Sequence, residues 1–279
     1  MRKTGTTLLL FIILATVALA QGPHRFQPGF NLFSKQQDVQ LGQEAAAQVR
    51  KQMTVIHDPV LTNYVNQVGK RLASAPEARQ SGFPFTFEVV ADPSINAFAL
   101  PGGPMFINTG LLKAVDSEAQ LAGVMGHEMS HVILRHGTNQ ATKAKMIELP
   151  AVLAGQVAGG SMMGKLAQAG IGLGANSVLL KFSRSAESQA DLTGSHIMAE
   201  SGYNPMEMAR FFEKLSAQGG GRTIQFMSDH PNPGNRERAI EQEAASLPHR
   251  NYGFQTGEFP RMKQAVAGIH EPPPRKAQQ

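Results

Sequence analysis

Apolar positions recur at helical spacing in two early stretches. Val39, Leu41, Ala46, Val49 and Met53 follow Ser34, a residue able to cap a helix, and Leu61, Val65, Val68 and Leu72 follow Asp58-Pro59. Two packing helices are expected there. Between Phe85 and Asn108 the pattern changes to short Phe, Val and Ile runs broken by Asp92-Pro93-Ser94 and Pro101-Gly102-Gly103-Pro104, which predicts three short strands in a small antiparallel sheet. Ser117 with Gln120 reads as a capping box, and Gly137 follows Arg135 and His136, so one helix is expected over 118–136. Further helices are expected from about Arg184 to Glu200, from Asn204-Pro205 with Met208, Phe211, Phe212 and Leu215 inward, and finally from Pro233 or Asn235. The fold class is therefore α+β, mostly helical around a small sheet.

Three segments do not follow these patterns. Arg2 and Lys3 precede an apolar run over Leu8–Leu19 that ends in Ala18-Leu19-Ala20, the layout of a secretory signal removed before Gln21. The run is shorter than the roughly 20 residues that a spanning helix needs, which argues against a retained anchor. Export is expected, with a bacterial periplasm as the destination. Residues 149–180 are rich in Gly, Ala, Met and Leu, with small residues four apart, but Lys165 divides the stretch into two halves too short to span a bilayer. A lid beside the active site is the favoured reading, and a peripheral membrane-contacting surface is the alternative. The tail over 266–279, with three consecutive prolines, is expected to be disordered, leaving 21–265 as a single domain.

Composition narrows the chemistry. The net charge of +5 falls to +3 without Arg2 and Lys3, and with three Tyr and no Trp the chain is a poor candidate for nucleic-acid binding. It has no cysteine, so any metal must be held by His, Asp or Glu.

His127-Glu128-Met129-Ser130-His131 is an H-E-x-x-H motif, and on a helix its two histidines share one face within reach of one ion. Glu128 lies a step round, where a carboxylate can take a proton from water on zinc and pass it to a leaving amine. Amide hydrolysis is the reaction implied. His136, nine residues past His127, would fall about 180° away on an unbroken helix and reads as structural. Glu187 is the better candidate for third ligand. It lies four residues before Asp191 on one helical face, so that one carboxylate can bind the ion while the other accepts a ring N–H, with His127 favoured as the donor.

Together these residues resemble the HtpX-like gluzincin peptidases, a family that includes type 1 CAAX prenyl endopeptidases and periplasmic peptidases of outer-membrane assembly. The resemblance runs in order through Asp38-Val39-Gln40-Leu41-Gly42, Asn96-Ala97-Phe98-Ala99-Leu100-Pro101-Gly102-Gly103, Asn108-Thr109-Gly110-Leu111-Leu112, the H-E-x-x-H helix, Arg184-x-x-Glu187-x-x-Ala190-Asp191, and His230-Pro231 with Arg236. It implies one zinc ion per chain held by His127, His131 and Glu187, with Glu128 as general base and acid and Asp191 as partner of a ligand histidine. It also implies that Asn96, Ala97, Phe98, Ala99 and Leu100 form the edge along which an extended substrate lies. His230 and Arg236 are implied in the catalytic machinery, His230 either steadying the oxyanion or closing the open zinc position. Gln189 stands where the family commonly has Glu, and too few residues follow position 246 for a tetratricopeptide array.

The function expected is a zinc metalloendopeptidase acting on unfolded or misassembled cell-envelope polypeptides. The alternative is a latent, chaperone-like assembly factor whose site is closed by His230 or by 149–180.

Overall fold

The computed structural model describes residues 23–143, 182–218, 225–232, 234–248 and 251–272. The expected signal segment 1–20, the insert 149–180 and the last residues of the expected tail, 273–279, lie outside them. Among the described residues no helix is long and apolar enough to cross a membrane.

Helix α1 (Lys35–Gln52) opens on a reciprocal capping box between Ser34 and Gln37. It lies against the Pro101-Gly102 turn, and a Cβ on Gly42 would fall 1.8 Å from the Pro101 carbonyl oxygen, so only glycine permits that approach. Strand β1 (Val55–Ile56) follows, then α2 (Pro59–Ala73), capped by the Asp58 carboxylate accepting from Val60 N and Leu61 N. Leu61, Tyr64, Val65, Val68 and Leu72 of α2 are buried in the main core, as the spacing predicts. After α3 (Pro76–Ser81) come β2 (Thr86–Val90), β3 (Ala97–Ala99), β4 (Pro104–Asn108) and α4 (Thr109–Ala114).

The sheet order is β1-β2-β4-β3, and it is mixed where an antiparallel one was expected: β2 runs parallel to β4, while β1 and β3 pair antiparallel with β2 and β4. Burial explains the order. All five residues of β4 are buried, which suits an interior strand, so the short β3 folds back onto the outside of β4 and becomes an edge. Two-residue β1 carries too little pattern to be read from sequence.

Helices α5 (Glu118–Ile133) and α6 (Arg184–Glu200) form the centre and are buried on nearly every side, so neither shows a strong apolar stripe. Ser117 Oγ accepts from Gln120 N as the capping box predicts, although the Gln120 side chain reaches back to Asp116 N. The two helices touch where both lack side chains, and a Cβ on Gly194 would sit 3.1 Å from His127 N.

Helix α5 does not reach 136. Arg135 adopts φ 57°, which breaks the helix after Leu134, and the chain is helical again over 136–143. The break is imposed from afar: Arg135 Nε donates to Asp38 Oδ2 at 2.6 Å and its NH2 group to Phe33 O at 2.5 Å. Buried Asp38 thus explains the acidic residue of the α1 motif.

Helix α7 (Met206–Ala217) buries Met208, Phe211, Phe212 and Leu215, and short α8 (Gln225–Asp229) delivers His230. Helix α9 (Arg236–Ser246) begins after Asn235 but is not the last, because α10 (Phe259–Ala267) docks Met262 and Val266 into the core. Residues 266–272, which fall in the expected tail, are among the described residues, and Glu271 pairs with Lys113 at 2.7 Å.

Candidate metal centre

His127 and His131 project from one face of α5, and the first turns of α6 bring Glu187 and Asp191 against them. His230, at the end of α8, closes the group from the other side. His127 Nε2 lies 3.1 Å from His131 Nε2, 3.2 Å from His230 Nδ1 and 3.3 Å from Glu187 Oε2. Glu187 Oε1 lies 3.2 Å from His230 Nδ1 and 3.6 Å from His131 Nε2. One donor atom from each of the four residues lies within 4.8 Å of the other three, and all four residues are buried. A tetrahedral ion with bonds of about 2.0–2.1 Å keeps its ligand atoms about 3.3–3.4 Å apart, so the cluster has the size and the donor chemistry for zinc.

Each candidate ligand is held from behind. Asp191 Oδ1 lies 2.9 Å from His127 Nδ1, which fixes the ring with Nε2 facing the cluster. Arg236 donates from Nε to Asp191 Oδ2 at 2.6 Å and from an NH2 group to Glu187 Oε2 at 3.1 Å, and its guanidinium lies over the Phe212 ring. Arg236 therefore sits behind the carboxylates and bridges them. Phe226 stacks on His230 at 4.6 Å and Phe182 on His131 at 4.1 Å between ring centroids, an apolar surround that orients the rings. Phe182 gave no sequence signal.

Helix α5 turns Glu128 toward β3 instead. Its Oε2 accepts from Ala99 N at 3.2 Å, while its Oε1 is buried, makes no hydrogen bond and has His230 Nε2 at 3.2 Å. Leu100 N donates to Pro104 O and Asn108 N to Asn96 O, so the alternate residues Ala97 and Ala99 turn their main-chain groups away from β4. The expected substrate edge thus lies beside Glu128. Asn96 is buried and donates to Asp229 Oδ2 at 3.1 Å, tying β3 to α8. A cleft runs past this edge, with Val49, Met53, Phe98, Leu100, Val132 and Phe182 as apolar walls.

Electrostatics follow from this packing. Burial alone would lower His127, but the Asp191 and Glu187 carboxylates outweigh it and raise the ring to about 9. A proton therefore competes with a metal for Nε2, and metal binding weakens toward acid pH. Burial and the neighbouring His127 push His131 well below the usual histidine range. Burial raises Glu128 above the ordinary carboxylate value. It would do the same to Glu187, but hydrogen bonds from His127 and His230 hold that carboxylate far below it.

Residues 59–244 match the model of peptidase family M48. The chain belongs to this family. It is 33% identical over 210 residues to the beta-barrel assembly-enhancing protease of Escherichia coli (strain K12), covering 72% of this chain and 42% of that protein. It is 32% identical over 183 residues to the mitochondrial metalloendopeptidase OMA1 of Schizosaccharomyces pombe, covering 65% of this chain and 52% of that one. The metalloprotease LoiP of Escherichia coli is 28% identical over 232 residues, 82% of this chain and 88% of LoiP. The chain spans about half the length of the first two relatives. M48 metallopeptidases use zinc, and among the described residues His127, His131, Glu187 and His230 form a cluster able to hold a metal ion.

His136 is the residue whose place the sequence reading missed. The break at Arg135 carries it to His131, Nδ1 to Nδ1 at 2.9 Å, rather than to the far side of a continuous helix. It remains outside the ligand set. Burial lowers it to about 4, so its ring is neutral.

Proposed function

We propose that the chain is an exported zinc metalloendopeptidase that hydrolyses unfolded or misassembled cell-envelope polypeptides. The observation that carries this is the placement of a buried carboxylate, Glu128, between a four-donor metal cluster and the edge strand β3. Zinc, when bound, supplies a polarised carbonyl and a water of pKa about 7. An extended peptide adds a strand along Ala97 and Ala99, and its main chain is recognised without regard to sequence. Glu128 accepts the proton of the attacking water and returns it to the leaving amine. Asp191 and Arg236 hold the ligand geometry, and the apolar walls of the cleft exclude bulk water.

Envelope location and substrates rest on the amino-terminal signal pattern and on the name of the E. coli relative, a beta-barrel assembly-enhancing protease. Peripheral membrane contact through residues 149–180 belongs to the same proposal.

The position of His230 favours a second reading, in which the resting enzyme is latent. Its Nδ1 stands at the fourth corner of the cluster and its Nε2 beside Glu128, so the ring covers both the open metal position and the base. A catalytic zinc site needs that corner for water. His230→Ala should raise cleavage of unfolded casein roughly tenfold or more, as expected when the open form is a tenth or less of the population. A fall in cleavage would instead give His230 the oxyanion role and remove the latch.

A further inference from the structure

The ligand His131 is supported quite differently from His127, and the difference runs through two residues with no assigned role. A histidine that offers Nε2 to a metal carries its ring proton on Nδ1, and that proton needs an acceptor. For His127 the acceptor is the carboxylate of Asp191. For His131 it is another imidazole, His136 Nδ1, at 2.9 Å. One proton must lie between these two nitrogens. Metal binding at Nε2 assigns it to His131, so His136 has to present a bare Nδ1 and carry its own proton on Nε2. That nitrogen faces Gln189 Oε1 at 3.1 Å, and an amide oxygen can only accept.

We infer that His136 and Gln189 form a neutral relay that orients His131 and fixes its tautomer for zinc. The inference rests on His131 being a zinc ligand. The relay depends on the fold: the left-handed turn at Arg135, locked by Asp38 and Phe33 O, is what brings His136 back to His131, and α6 supplies Gln189 from between Glu187 and Asp191. The two ligand histidines are thereby supported unequally, one by an anion that Arg236 also binds and one by a chain of neutral groups. His136 and Gln189 are positioning residues and do not touch substrate.

The test is zinc affinity by competition with a chromophoric chelator, paired with long-range ¹H–¹⁵N spectra of histidine-labelled, zinc-loaded protein. His136→Phe should weaken zinc binding about 10- to 100-fold, the usual effect of removing a group that holds a metal ligand. His136→Asn, which keeps an acceptor oxygen, should recover most of that loss. Gln189→Ala, at a half-buried position, should weaken binding several-fold, and Gln189→Glu should preserve it. The spectra should show protonated Nδ1 on His131 and protonated Nε2 on His136. Wild-type zinc affinity in a folded His136→Phe variant, or a proton on His136 Nδ1 in the loaded wild type, overturns the relay alone. Failure of the wild-type protein to take up zinc overturns the metallopeptidase reading together with it.

Discussion

Glu128→Gln should cut cleavage of unfolded casein by about 100- to 10,000-fold, the range that general acid-base groups contribute. Zinc content should stay at one ion per chain. The substitution is nearly isosteric and its amide oxygen can still accept from Ala99 N, so the α5–β3 contact survives. What disappears is the ability to take a proton, and His127, His131 and Glu187 are untouched. The same carboxylate sets the acid limb of the pH profile. Burial raises Glu128 above its ordinary value of 4.5, so wild-type activity should be lost as pH falls through a point above 4.5, where the base becomes protonated. A Glu128→Gln enzyme with wild-type turnover would remove this residue from the chemistry.

Arg236→Leu should be the most damaging single change to the scaffold. Glu187 and Asp191 are buried side by side, and Arg236 bonds to both. Without it two buried carboxylates face each other with only neighbouring imidazoles beside them, and breaking a buried pair in this way costs about 3–5 kcal/mol. At roughly 2–4 °C per kcal/mol for a domain of this size, the melting temperature of chelator-treated protein should drop by about 6–20 °C. Zinc should restore part of the loss, because the ion is itself a counter-charge for Glu187. Arg236→Lys should fall between, since an ammonium cannot bridge both carboxylates as the planar guanidinium does. A melting temperature within about 2 °C of wild type for Arg236→Leu would show that the pair contributes little.

Most of the candidate cluster was legible because its logic is local. Helical spacing puts His127 with His131, and Glu187 with Asp191, each on one face, and the Ser117 and Ser183 caps fix where those helices begin. Nothing local required α5 and α6 to meet, but two glycines, at 126 and 194, allow the approach. The remainder depended on contacts distant in sequence. Arg135 turns left-handed because Asp38, 97 residues earlier, holds its side chain, and only that turn brings His136 to His131. The parallel pairing of β2 with β4 follows from β3 taking the outside position, a choice that short strand patterns do not encode. Helix α8 has five residues, too few for a periodic signal, yet it carries His230 to the cluster. The resemblance supplied His230 where the spacing of residues could not.

The most direct test is a crystal of Glu128→Gln grown with zinc and measured on both sides of the zinc absorption edge. One anomalous peak should lie about 2.0–2.2 Å from His127 Nε2, His131 Nε2 and a Glu187 oxygen. A peak elsewhere, or Glu187 directed away from the two imidazoles, would contradict the account.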